Sequence, residues 1–182
     1  AKQQSFSIDV PKNEIKEFID EFPFKPTVAQ NKAIDQILSD MHSHILPSGA
    51  RQGQPMSRLL EGDVGSGKTA VAATAAYSVV RTRPQGQNYG TLQVAYMAPT
   101  EILAKQHFES FIKFFEQFPI NIGLITGSGC YKFPSKTHKG GATNISRTQL
   151  LKWVANGEIP VVIGTHALIQ KSVVFKHLAL VI

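Results

Sequence analysis

The chain has 182 residues, 42% of them hydrophobic and 18% charged, with a formal net charge of +6. That composition can fill one core, but it has no apolar run long enough for a membrane-spanning helix, and its lone cysteine, Cys130, excludes an internal disulfide or a thiolate metal site. The positive excess favours an anionic partner, and the expectation is one domain in a reduced, cytoplasmic setting with no membrane and no signal peptide.

Residues 1–25 read as a lead-in. Phe6, Ile8 and Val10 alternate until Pro11 breaks the pattern, and Ile15, Phe18, Ile19 and Phe22 then recur at helical spacing up to Pro23. Thr27-Val28-Ala29-Gln30 fits a capping box, so Ala33, Ile34, Ile37, Leu38 and Met41 predict a helix with one apolar stripe. His42 and His44 stand two apart without a third ligand, which argues against zinc. Residues 47–56, rich in Pro, Gly, Ser and Gln, read as a loop, and Ser57-Arg58-Leu59-Leu60 as a short apolar strand.

The next stretch, Gly62-Asp63-Val64-Gly65-Ser66-Gly67-Lys68-Thr69, fits G-x-x-x-x-G-K-[ST]. Glycines let the backbone curl until successive N–H groups, at the positive end of the following helix, point at one anion. In such a loop Lys68 neutralises the β- and γ-phosphates of a nucleoside triphosphate and the Thr69 hydroxyl ligates Mg²⁺, so ATP and Mg²⁺ are the expected cofactors. The small residues Ala70 to Ala76 predict a helix able to lie close against a sheet. Gln30 has two readings beside this loop: the capping partner of Thr27, or an amide that reads an adenine edge. Phe24 either stacks on that base or packs under the helix.

From there strands and helices alternate. Strands are predicted over 92–98, 121–126, 160–164 and 178–182, and helices over 101–118 and 145–155, which argues for a parallel sheet covered on both faces. Residues 82–91 and 129–144 read as long polar loops, the second carrying Lys132, Lys136, His138 and Lys139; Trp153 reads as core. Three strands end in turns: Ala98-Pro99-Thr100, Thr126-Gly127-Ser128 and Gly164-Thr165-His166. In a parallel sheet these turns share one edge. Each alone is explained by helix capping; together they suit a second polyanion with spaced phosphates, a nucleic-acid strand.

These segments, in this order, resemble the first RecA-like motor domain of superfamily 2 helicases, and among them the RecG group of ATP-dependent DNA helicases. Phe22-Pro23-Phe24 with Thr27 and Gln30 resembles the adenine-side segment, and Leu59 to Thr69 resembles motif I. Met97 to Ala104 with Gln106-His107 resembles motif Ia, and Leu124 to Ser128 the next DNA-contacting turn. Gly157-Glu158-Ile159 followed by Val162 to Leu168, then Phe175-Lys176 and Leu178 to Ile182, completes the series. The resemblance implies a P-loop NTPase fold over 26–182 and ATP hydrolysis coupled to remodelling of branched double-stranded DNA, such as forks and Holliday junctions, near the nucleoid and alongside replication-repair proteins. It assigns Lys68 and Thr69 to catalysis, residues 62–69 with Gln30 and Phe24 to the nucleotide, and Pro99, Thr100, Thr126, Gly127, Ser128, Gly164, Thr165 and His166 to the DNA backbone.

In that group an Asp-Glu-x-His follows the strand that here ends at Ile182. The resemblance therefore implies a domain truncated at its C-terminus, expected to bind nucleotide weakly, to hydrolyse no ATP, and to show a gap or exposed edges in its sheet. The motor of a transcription-repair coupling factor is the nearest rival reading, and a nucleotide switch with no nucleic-acid partner a more distant one.

Overall fold

The structure is a computed structural model that describes residues 5–42, 44–45, 51–53, 55–135 and 140–182. Residues 47–50 and 54 of the loop expected over 47–56, the side chain of His44, and Lys136, His138 and Lys139 lie outside the described residues.

Helix α1 (Lys12–Asp20) buries Ile15 and Phe18, and α2 (Val28–Met41) buries Ile34, Ile37 and Met41, as their spacing predicts. Both box bonds start α2: the Thr27 hydroxyl accepts from Gln30 N–H at 3.2 Å and Gln30 Oε1 accepts from Thr27 N–H at 2.8 Å. Among the described residues, strands β1 (His44–Ile45) and β2 (Arg51–Gln52) form a separate two-stranded antiparallel sheet. Helix α3 (Lys68–Arg81) is buried along nearly its whole length. Its alanines permit close approach, and the Thr74 and Ser78 hydroxyls turn back to the carbonyls of Ala70 and Thr74 at 2.9 and 3.0 Å, so no polar atom there is left orphaned.

The remaining elements are β3 (Gln93–Met97), α4 (Glu101–Phe115), β4 (Ile122–Ile125), β5 (Cys130–Phe133), β6 (Thr143–Asn144), α5 (Arg147–Asn156), β7 (Val161–Gly164), a 3₁₀ turn (His166–Ile169) and β8 (Leu178–Val181). The main sheet has six strands in the order β6-β5-β4-β7-β3-β8. Strands β4, β7, β3 and β8 are parallel, whereas β5 and β6 add an antiparallel wing. Residues 129–144 are thus not simply a polar loop: Cys130 and Phe133 point into the core from a strand that folds straight back on β4.

Side chains alternate across the sheet. Val94, Val161, Ile163, Ile122 and Leu124 face the large core under α1 to α4; Ala95, Val162 and Ile125 face a smaller one with Leu150 and Val154 of α5. Phe18 is fully buried in the large core, stacked on Tyr77 with ring centres 4.2 Å apart. Trp153 is half-buried against the smaller core.

The strand expected at 57–60 does not form. Residues 57–60 have no regular secondary structure, Leu59 is 80% exposed, and no described strand pairs with them, because the sheet ends at β8. A strand exists only where a ladder partner accepts its bonds. The segment is held instead by Arg58, whose Nε lies 2.6 Å from Asp40 on α2.

At the other ends of the strands, fully buried Gln93 joins three connections. Its Nε2 donates to the carbonyls of Val154 and Ile159 at 2.9 and 3.0 Å, and its Oε1 accepts from the N–H groups of Lys176 and His177 at 2.8 and 3.0 Å. The entries to β7 and β8 are therefore tied to the first residue of β3. Among the described residues no helix is long and apolar enough to cross a membrane.

Candidate nucleotide loop and nucleic-acid interface

Gly65 and Gly67 have φ of 82° and 78°, the left-handed region that an L side chain rarely adopts. These two positions let residues 62–67 wrap back and enter α3 at Lys68. The turn closes through Ser66 N–H to Asp63 O at 3.1 Å. Lys68 bends over it, its Nζ donating to the carbonyls of Gly62 and Asp63, the latter at 2.8 Å. Its ammonium is thus satisfied by acceptors that a phosphate oxygen can replace. Val64 stands fully exposed at the crown, and Thr69 is half-buried on the first turn of α3.

Gln30 reaches this loop as well as its own cap. Its Nε2 donates to Ser66 O at 2.8 Å, and a Cβ on Gly67 would sit 2.1 Å from that nitrogen. Both polar atoms of the amide are therefore engaged, one within α2 and one on the phosphate loop. Phe24 is 41% exposed with its ring against Phe22 and Phe114, at centroid distances of 5.8 and 6.3 Å. The residues present suit a triphosphate: two glycines in the conformation the wrap requires, a free helix start, and a lysine held only by carbonyls. For Mg²⁺ the loop offers the Thr69 hydroxyl, and no cluster of three or more His, Cys, Asp or Glu able to hold a metal occurs among the described residues.

The three turns do meet. Pro99, Thr100, Gly127, Thr165 and His166 line one cleft of about 340 Å³, since Met97 and Ile125 both pair with Gly164 at the strand ends. Their donors are unequally free. Thr100 caps α4 through Leu103 N–H at 3.2 Å, and the buried Thr165 caps only the 3₁₀ turn through Ala167 N–H at 3.5 Å. Thr126 is buried, its hydroxyl donating to Gly129 O at 2.9 Å, so it shapes the turn between β4 and β5. Glu101 covers that turn: its Oε1 accepts from Ser128 N–H at 3.2 Å, and a Cβ on Gly127 would lie 2.7 Å from the same oxygen. The Ser128 hydroxyl, with the Gly127 and Ser128 amides, holds the Glu101 carboxyl below the usual glutamate range.

Two residues of the cleft carry no sequence signal of their own. Arg147, at the start of α5, and Gln170, after the 3₁₀ turn, are joined by Nη2 to Oε1 at 2.9 Å across 23 positions of sequence. Only the folded sheet brings them together. Beneath them burial pushes the Cys130 thiol up in pKa, partly offset by the Arg147 guanidinium.

Comparison with known proteins agrees with this geometry. The family model described as DEAD/DEAH box helicase matches residues 27–182. Curated relatives named ATP-dependent DNA helicase RecG include that of Aquifex aeolicus, 38% identical over 181 residues, 100% of this chain and 19% of the relative. The Bacillus subtilis relative is 41% identical over 169 residues, 93% of this chain and 20% of its own length. That of Thermotoga maritima is 40% identical over 168 residues, 92% of this chain and 18% of its own. The chain spans about a fifth of the length of these relatives. With the match covering both the phosphate loop and the three turns, the chain belongs to the DEAD/DEAH box helicase family.

Proposed function

We propose that this chain is the nucleotide-binding part of a DNA helicase motor that uses ATP and Mg²⁺ to remodel branched double-stranded DNA. The observation that carries the reading is the pairing of two anion-directed features in one domain: a phosphate loop with Lys68 bent onto its carbonyls, and a cleft where three strand-end turns converge. When bound, the triphosphate supplies the energy-yielding bond. Lys68 exchanges its loop carbonyls for β- and γ-phosphate oxygens, Thr69 offers its hydroxyl to Mg²⁺, and Gln30 with Phe24 stands on the adenine side. Thr100, Gly127 and Thr165, with Pro99 and His166, line the cleft offered to the sugar-phosphate backbone, while Thr126, Ser128 and Gly164 shape the turns behind it. Contacts of that kind carry no base information, so binding is insensitive to sequence and sensitive to salt.

Forks and Holliday junctions are the DNA class that the resemblance to the RecG group implies, and residues 26–182 are the unit proposed to perform the nucleotide step. The test is DNA-stimulated ATP hydrolysis by the full-length protein and by its Lys68→Ala variant, on forked and on linear duplexes. The reading requires turnover that forks stimulate more than linear duplexes and that the variant loses. Equal turnover in both proteins would overturn it.

A further inference from the structure

The donors of the converging turns are largely committed. Glu101 occupies the Ser128 amide, and the N–H groups of Leu103 and Ala167 already donate to the hydroxyl oxygens of Thr100 and Thr165. A phosphate entering the cleft of about 340 Å³ therefore meets few free N–H groups and needs a positive side chain.

Arg147 lines that cleft from the first turn of α5. Its partner Gln170 is a neutral acceptor, which aims a guanidinium without cancelling its charge. Arg58 and Arg81 differ in this respect, being paired with the carboxylates of Asp40 and Glu14; among the described residues no carboxylate forms an ion pair with Arg147. The acidic residue that shares the cleft, Glu101, turns its charge onto the Gly127–Ser128 turn instead.

We propose that Arg147, aimed by Gln170, is the cation that holds one DNA backbone phosphate in the cleft between the C-terminal ends of β3, β4 and β7. This rests on the DNA-binding reading above and adds to it a residue outside the turns. The planar fork can give two parallel N–H bonds to phosphate oxygens, and the Thr100 hydroxyl keeps its proton free to add a third. Because only the backbone is touched, the contribution is the same on every base sequence.

The test is anisotropy of labelled forked DNA with the full-length protein over a series of salt concentrations. Loss of one phosphate contact in Arg147→Gln lowers the slope of log K against log salt by about one unit and weakens binding by about tenfold, whatever the sequence. Arg147→Lys keeps the charge and so keeps the slope. Gln170→Leu also keeps the slope but binds more weakly, since the charge remains and its aim is lost. A wild-type slope in Arg147→Gln overturns the proposal and leaves the DNA reading intact; a slope lost equally in Arg147→Lys assigns the effect to altered structure and overturns it too. Absence of salt-dependent binding by the wild type would remove the DNA reading itself.

Discussion

Gln30 donates from its side-chain amide to the carbonyl of Ser66 across 2.8 Å while its oxygen holds the N–H of Thr27, so one residue starts α2 and tethers the phosphate loop. The two jobs are separable. Gln30→Glu retains the acceptor for Thr27 and loses the donor to Ser66; Gln30→Ala loses both. Thermal melts should show near wild-type stability for the first and a loss of about 1 kcal/mol for the second. Titration of the full-length protein with a fluorescent ATP analogue should show both weakened by about tenfold, the worth of one hydrogen bond. Unchanged affinity in Gln30→Glu would mean that the tether does not bear on the nucleotide.

Gly65 and Gly67 share a left-handed backbone but differ in surroundings. A Cβ at Gly65 meets nothing within 4 Å, whereas one at Gly67 would collide with Gln30 Nε2 at 2.1 Å. Gly65→Ala should cost only the conformational penalty of about 1–2 kcal/mol, and Gly67→Ala clearly more, with Gln30 displaced. Chemical denaturation of both variants measures the difference; equal losses would remove the clash from the account.

The Glu101 carboxyl titrates below its ordinary value because the folded turn donates to it. A group lowered in this way stabilises the fold at pH above the unfolded glutamate value, and its contribution fades as pH falls through the folded value. Glu101→Gln should therefore be less stable than wild type at neutral pH, with the gap closing on acidification. Melting temperatures of the two proteins across that range decide the sign, and a gap that widens in acid contradicts it.

Gln93→Leu removes the partner of the Ile159 carbonyl and of the Lys176 and His177 N–H groups around a fully buried side chain, while the Val154 carbonyl keeps Gly157 N–H at 3.1 Å. The expected cost is about 3 kcal/mol or more. Urea denaturation measures it, and a loss below about 1 kcal/mol would show that the neighbouring backbone finds other partners.

Local signals made much of this molecule legible. The capping box at Thr27, the glycines and lysine of residues 62–69, the apolar stripe of α2 and the helix over 101–118 are written over short spans, and the structure has them within a few residues. What escaped depends on distant partners. The segment 57–60 has an apolar pattern that fits a strand, yet pairing is a property of its neighbours. Strands β5 and β6 were hidden by glycines and lysines that suit a loop, while the decisive fact is that Cys130 pairs with Ile125. Nothing local marks the roles of Arg147 and Glu101, because Gln170 lies 23 and Ser128 27 residues further on.

The knot of bonds around Gln93 gives the sheet two unlike margins. Where the strands begin, a single amide pins their alignment, and slipping by one residue would turn Val161 and Val162 to the wrong sides. Where they finish, the ties are separate ones, Glu101 to Ser128 and Arg147 to Gln170. Exposed side chains at that margin outside the Glu101 tie and away from Gly164, where a Cβ would lie 2.5 Å from the Ile125 carbonyl, can be exchanged at less cost to the frame than Gln93, so engineering of the grip belongs there.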